Sequence, residues 1–305
     1  MLIYNTLSNR VIKLADEYCK KLDIANAGIK RIILHLFGGE PLLFLDDILP
    51  FIAGLKNIGV TVSGSATTNG YLLNEKNFKE MLDYGITSFQ ITIDGDPQSH
   101  NETRKLLDGS ETYSTIFQNL KNISKSKDNF SVVVRCNMNK TTKMDQFLQD
   151  FKSAFRADER FSLLLFPIAR WNKNFTCSNL MSKGELFKKY THKLKNERIK
   201  DAYLDIFINN AFCCDFSFPL SLALMPNGKA NFCTIYFEKS KEVNIEDYFA
   251  NLKRNIEVKT SAECERNGCV LYPKCFGFRC QKSGGSDYCD NNLNDIKTFL
   301  LEYFS

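Results

Sequence analysis

The chain has 305 residues, 44% of them hydrophobic and 12% aromatic, which is enough apolar content to close a sizeable core and excludes a disordered or fibrous protein. Lys and Arg number 40 against 35 Asp and Glu, a formal charge of +5 spread without a basic run, which argues against a dedicated nucleic-acid binder. The N-terminus MLIYNTLSNR lacks the basic start and apolar stretch of a secretory signal, and the most apolar region, PLLFLDDILPFIAGL, is broken by Asp46 and Asp47. A cytoplasmic chain with no membrane or nucleic-acid partner is expected.

From residue 7 to about residue 168 helical and strand periodicities alternate, a beat that predicts a parallel sheet with crossover helices. A first helix is expected over residues 7–22, with Leu7, Val11, Leu14, Ala15, Tyr18, Cys19 and Leu22 on one face, which makes Cys19 a core residue. RIILHLF (31–37) reads as a strand, DDILPFIAGLKN as a helix, VTVSGSATT (60–68) as a strand and NEKNFKEMLDY as a helix capped by Asn74. SFQITID (88–94), a helix near 113–126, FSVVVRCNM (130–138), a helix near 143–156 and FSLLLFPI (161–168) complete the series. Ser182 and Glu185 then form a capping box for a Lys-rich helix with a solvated face. Because the series begins with a helix, a first strand is missing from this reading. RIILHLF should then be an exposed apolar sheet edge that promotes aggregation.

In parallel α/β folds ligands sit at the C-terminal ends of the strands. There the sequence places Gly38, Gly39, Glu40 and Pro41, whose glycines allow close backbone approach to a ligand. Period two sets Ser63, Ser65, Thr67 and Asn69 opposite Val62, Ala66 and Thr68. It likewise sets Gln90, Thr92 and Asp94 opposite Phe89, Ile91 and Ile93, and Arg135 and Asn137 opposite Val134, Cys136 and Met138. One face therefore lines a cavity and the other meets helices, with Cys136 on the helix side. Asp94 and Asn69 could also serve as simple turn caps, His100 and Arg104 as loop anchors or pocket residues, His35 as an interior histidine and His192 as a surface one.

The 11 cysteines are unevenly placed: Cys19, Cys136 and Cys177 precede a last third that holds Cys213, Cys214, Cys233, Cys264, Cys269, Cys275, Cys280 and Cys289. In a reducing compartment such a cluster reads as metal ligation rather than disulfides. The run Cys264-x4-Cys269-x5-Cys275-x4-Cys280 contains no C-x2-C knuckle of the usual structural zinc site, and iron–sulfur ligation and zinc both stay open on spacing. The PNG at 226–228 predicts a tight hairpin that would set Cys214 and Cys233 on adjacent strands. Two domains follow, residues 1–200 and 201–305.

Together these features resemble radical S-adenosylmethionine (SAM) enzymes with a C-terminal SPASM domain. LHLFGGEPLL is similar to the family's GGEP motif, ATTNG to its next strand end, FQITIDGDPQSHNETRKLLDGSETYSTIFQNLKNI to its DG…H…R…G segment, and the cysteines from Cys214 onward to the SPASM pattern. The resemblance implies a partial (β/α)6 TIM-like barrel lacking its first strand, followed by a small cysteine-rich domain. It implies that Gly38, Gly39, Glu40 and Pro41 hold the methionyl amino group of SAM, with Thr67, Asn69, Asp94 and Arg135 lining the rest of its pocket. Cys264, Cys269, Cys275 and Cys289 would ligate one auxiliary [4Fe–4S] cluster. Cys214, Cys233 and Cys280 would ligate a second, with Cys213 or Cys177 as its fourth ligand or an open iron.

The implied activity is modification of a peptide or protein side chain through a 5′-deoxyadenosyl radical, with an electron-donor protein as a further partner. Thr234 stands where sulfatase-maturing relatives carry an aspartate base, which argues against that activity. The family's C-x3-C-x2-C motif for the SAM-cleaving cluster is absent, Cys19 alone preceding the GGEP. N-terminal truncation is therefore expected, because MLIYNTLSNRVIKLADEY resembles the stretch just after the cluster loop. The rival expectations are a non-catalytic iron–sulfur or zinc scaffold that grips a peptide, and a zinc-stabilised α/β protein.

Overall fold

The alternation of strand and helix signals becomes one eight-stranded sheet in the order β6-β5-β4-β3-β2-β1-β7-β8. The computed structural model describes residues 2–5, 28–168, 179–209, 222–225, 229–231 and 286–305, and isolated positions 15–17, 19, 20, 23, 244 and 247. Its strands are β1 (Leu2–Asn5), β2 (Arg31–Phe37), β3 (Thr61–Thr68), β4 (Ile86–Thr92), β5 (Ser131–Met138), β6 (Phe161–Pro167), β7 (Leu222–Leu224) and β8 (Ala230–Asn231). The helices are α1 (Leu45–Asn57), α2 (Glu75–Asp83), α3 (Pro97–Thr103), α4 (Tyr113–Ile123), α5 (Asp145–Phe155), α6 (Lys183–Asn196) and α7 (Ser286–Phe304). All pairings from β1 to β6 and between β1 and β7 are parallel, and only β7–β8 is antiparallel. The α/β half-barrel read from the sequence is thus observed.

Local chemistry explains the element boundaries. Asn74 accepts from the Asn77 N–H at 2.9 Å and so starts α2, and Ser182 and Glu185 close a reciprocal capping box at the start of α6. Along β5 burial alternates residue by residue, with Val132, Val134, Cys136 and Met138 inward against helices. Cys136 is fully buried, with its thiol 3.5 Å from Met144 Sδ, as the period-two reading placed it. Cys19 is also buried, and burial pushes its thiol up to about 12, so it is a core residue. Phe78, Phe89, Phe130, Phe155 and Phe161 run as a chain of ring contacts through the layer between sheet and helices.

Two expectations are corrected. Leu2–Asn5 is a strand that pairs in parallel with Leu34–Phe37, so a strand does stand in front of RIILHLF. With β1 on one side and β3 on the other, β2 is interior, and the predicted aggregation-prone edge does not exist there. Four residues are too short to show a period, which is why this strand was illegible in the sequence. Helix α7 was also missed. Its Ile296, Phe299, Leu300 and Tyr303 repeat at helical spacing, and Phe299 is fully buried against Phe187 of α6 and Tyr203.

The PNG itself lies outside the described residues; the strands flanking it pair antiparallel, Ala223 with Asn231 and Leu224 with Ala230, and the Met225 N–H donates to Lys229 O at 2.8 Å. Cys177, Cys213, Cys214, Cys233, Cys264, Cys269, Cys275 and Cys280 lie outside the described residues, and Cys289 lies in α7.

Candidate functional site

The residues singled out at the strand ends converge at the C-terminal edge of β2–β5. Gly38 and Gly39 take φ values of 91° and 52°, a left-handed pair that only glycine adopts without strain and that turns the chain sharply after β2. Glu40 follows in extended conformation and caps a short 3-10 turn over Pro41–Phe44, with Pro41 preorganised at its start. Its carboxylate is fully engaged. Oε1 accepts from the Leu42 N–H at 3.1 Å and the Thr68 hydroxyl at 2.6 Å, and Oε2 accepts from the Asn69 N–H at 2.7 Å. Glu40 therefore ties the β2 turn to the end of β3, and the turn meets a ligand through its backbone.

Thr68 is the residue that sequence reasoning missed. The pattern placed it with Val62 and Ala66 on the helix side, and it is indeed buried. A hydroxyl on that face has to find a partner, and this requirement was the available signal. Asn69 Oδ1 accepts from the Tyr71 N–H at 2.8 Å, so Asn69 is the turn cap its sequence context allowed, while its backbone serves Glu40.

The second anchor is Asp94. Its Oδ1 accepts from the Asn137 N–H at 2.8 Å and from Asn137 Nδ2 at 3.3 Å, and its Oδ2 accepts from Arg104 Nε. One carboxylate thus binds together the ends of β4 and β5 and the loop after α3. His100 completes the knot: its Nδ1 accepts from the Asp94 N–H at 3.1 Å, and its Nε2 lies 3.0 Å from Thr112 Oγ1, which itself donates to Arg104 O at 2.7 Å. These partners assign the neutral Nε2–H tautomer, and burial pulls the imidazole down to about 4. His100 and Arg104 are therefore loop anchors. Gly95 adopts φ 82°, and a Cβ there would lie 2.4 Å from Lys143 O, so the DG step requires glycine.

Between these anchors lies the open face of the sheet. His35, Ser65 and Ser88 are paired across β2–β4, Thr67 with Gln90 across β3–β4, and Thr92 with Arg135 and Leu164 across β4–β6. Their side chains are half-buried or buried. His35 belongs to this polar face, its Nδ1 2.7 Å from Ser65 Oγ, while His192 is exposed. Arg135 donates through Nε to Asn137 Oδ1 at 2.8 Å and lies 4.1 Å over the Phe166 ring. Burial lowers its pKa, and no carboxylate pairs with it among the described residues. A held, partly desolvated guanidinium of this kind is a candidate receptor for an anionic group. The predicted Gly38, Gly39, Glu40, Pro41, Thr67, Asn69, Asp94 and Arg135 thus share one strand-end region. Its acidic members act as braces, which leaves its turn backbone and Arg135 as the candidate binding groups.

Residues 6–152 match the Radical SAM superfamily. This matched segment carries most of the parallel sheet and the strand-end site. An uncharacterized protein of Methanocaldococcus jannaschii is 36% identical over 87 residues, a stretch covering 28% of this chain and 29% of that relative. Among solved structures, anSMEcpe with bound AdoMet superposes with a TM-score of 0.65 at 16% identity over 99% of this chain and 93% of its own. Streptococcus suis SuiB bound to precursor peptide SuiA gives 0.56 at 13% identity, over 91% and 71%. At these identities the likeness is one of fold. Among the described residues no helix is long and apolar enough to cross a membrane.

Proposed function

We propose that the strand-end site binds SAM and that the chain acts on a peptide or protein side chain. The observation that carries this reading is the braced GGEP turn at the same sheet end as a guanidinium that no carboxylate pairs with among the described residues. The turn backbone at Gly38–Pro41 would meet the methionyl amino group, and Arg135 would take its carboxylate. Thr67 and Asn69 would line the space between, while Glu40 and Asp94 hold the two loops at fixed spacing. Bound SAM supplies, on one-electron reduction, a radical able to abstract hydrogen from an unactivated carbon. The peptide assignment is supported by two neighbours of the same fold, one named with a Cp18Cys peptide and one with its precursor peptide SuiA.

The residues do not fit the cluster that would reduce SAM. Three thiolates are needed, and the GGEP is preceded only by Cys19, whose thiol is buried and held protonated. No step is therefore routed through that cluster. The C-terminal cysteines Cys214, Cys233, Cys264, Cys269, Cys275, Cys280 and Cys289 are proposed to ligate two auxiliary [4Fe–4S] clusters, as their resemblance to the SPASM pattern implies. A second reading is a SAM-fold scaffold that grips a peptide without cleaving SAM.

Calorimetric titration with S-adenosylhomocysteine tests the site. Binding is expected in the wild-type chain, with at least a tenfold loss in Arg135→Gln, and absence of binding overturns the proposal. Iron and acid-labile sulfide in anaerobically purified protein test the clusters, and zinc without sulfide would overturn them. Formation of 5′-deoxyadenosine under anaerobic reduction separates the enzyme from the scaffold, which predicts none.

A further inference from the structure

β6 is an edge strand, and among the described residues the chain returning from α6 joins it by one step. Asp201 forms a single parallel bridge with Leu163, fastened by the Leu163 N–H donating to Lys200 O at 2.9 Å. The chain enters this join through Arg198 at φ 55°, a left-handed conformation that costs a residue with a Cβ. It leaves as one helical turn over Ala202–Leu204 and a π-helical turn over Asp205–Asn209, a rare geometry that recurs at functional sites. The sequence then passes Cys213 and Cys214 before β7, on the far side of β1.

What holds this segment is apolar. Tyr203 packs edge-on against Phe187 of α6 at 4.8 Å and stacks on Phe207 at 5.2 Å, and both rings meet Phe299 of α7. Its polar groups pull the other way. Among the described residues the Asp201 side chain accepts only from the Tyr203 N–H at 2.9 Å, and the buried Tyr203 hydroxyl finds no partner there. A carboxyl buried to this degree with one donor is tolerated neutral and opposed once charged, and burial accordingly pushes it up to about 7.

The charged groups around Asp201 do not offset that charge. Arg156 at the end of α5, Asp158 and Glu159 before β6, Lys195 on α6, Arg198 and Lys200 on the returning chain and Tyr303 on α7 line the same cleft. Asp158 is taken by Arg160 at 2.7 Å, Lys200 lies 3.4 Å from Asp205, and Lys195 lies 5.5 Å over the Tyr303 ring. Burial and the Tyr203 N–H are what set the proton affinity of Asp201. The bland account makes Asp201 an N-cap for Ala202–Leu204, a task that Asn or Ser performs without burying an ionisable group.

We propose that Asp201 is a proton-controlled latch: protonated, it lets residues 200–209 seat against the edge of β6, and when its proton passes to solvent the carboxylate turns toward water and the segment lets go. The start of the stretch that leads to Cys213 and Cys214 is thereby sensitive to pH. The latch does not rest on the SAM reading.

Hydrogen–deuterium exchange of the full chain from about pH 5 to about pH 8, corrected for intrinsic amide rates, tests it. Protection of the Leu163 and Leu204 amides is expected to fall by up to about tenfold per pH unit and to level off above about pH 7, while amides of β3, β4 and β5 do not follow. In Asp201→Asn, which keeps the acceptor for Tyr203, that protection should change by less than about twofold per pH unit. Tyr203→Phe should raise it about fivefold at every pH and keep the slope, because it removes the other unsatisfied group without touching the proton site. Three results overturn the proposal: protection in the wild-type chain that is flat with pH, a slope that survives in Asp201→Asn, or core amides falling in step, which would make Asp201 a contributor to global stability alone.

Discussion

Two regions of the sheet treat buried polar groups in opposite ways. At the strand ends, Glu40 and Asp94 each accept three hydrogen bonds and His100 is satisfied on both nitrogens. Beyond the β6 edge, Asp201 is 4% exposed and, among the described residues, its side chain accepts only from the Tyr203 N–H at 2.9 Å, and the buried Tyr203 hydroxyl finds no hydrogen-bond partner there. Burial therefore drives the Asp201 carboxyl toward its neutral form, to about 7, and the Tyr203 phenol upward. The contrast teaches where rigidity was needed. A satisfied network fixes loops around a ligand, whereas an unsatisfied pair lowers stability and leaves its neighbourhood adjustable.

The contrast can be broken at its strong end first. Asp94→Ala should cost about 4 kcal/mol, because it strands the part-buried Arg104 and the Asn137 N–H together, and urea denaturation would measure it. A cost under about 1 kcal/mol would mean that the knot is ornamental. Glu40→Gln comes next at about 2 kcal/mol. If its amide nitrogen faces the Asn69 N–H, two donors oppose each other, and if the amide flips, the Thr68 and Leu42 contacts suffer. Its S-adenosylhomocysteine affinity should fall further than its stability.

The pH dependence sharpens the comparison. Asp201 has a folded value of about 7 against 3.8, so its contribution is complete below about pH 4 and is lost as pH rises through 7. His100 has a folded value of about 4 against 6.5, so its contribution is present above pH 6.5 and is lost as pH falls through 4. Each group contributes a slope of about 1.4 kcal/mol per pH unit at most, and between pH 4 and 6.5 the two oppose. Asp201→Asn should therefore expose the acid lability of His100, with stability rising from pH 4 to 6.5 and no decline toward 7. A denaturation series that keeps the wild-type profile would refute the assignment of Asp201. The smallest effect is expected from Tyr203→Phe, which removes an unsatisfied hydroxyl and should stabilise by about 1 kcal/mol, a rise of a few degrees in melting temperature. A loss of stability instead would show that the hydroxyl has a partner.

Much of this was legible before any coordinates. The strand RIILHLF, the Asn74 cap, the Ser182–Glu185 box and the polar columns Gln90–Thr92 and Arg135–Asn137 follow from periods of two and 3.6 and from donor satisfaction at helix ends, all of which act over a few residues. The GGEP turn was visible as a backbone device because two adjacent glycines have few other uses.

What the sequence could not supply was pairing between distant segments. That Leu2–Asn5 covers β2, that α7 returns to pack on α6, and that Thr68 rather than Thr67 meets Glu40 are all contacts across tens to hundreds of residues. Local propensity fixes which face of a segment is apolar. Only the closing of the sheet decides which partner that face, or a lone buried hydroxyl, finally meets, because burial and desolvation are properties of the assembled core and not of any short stretch of chain.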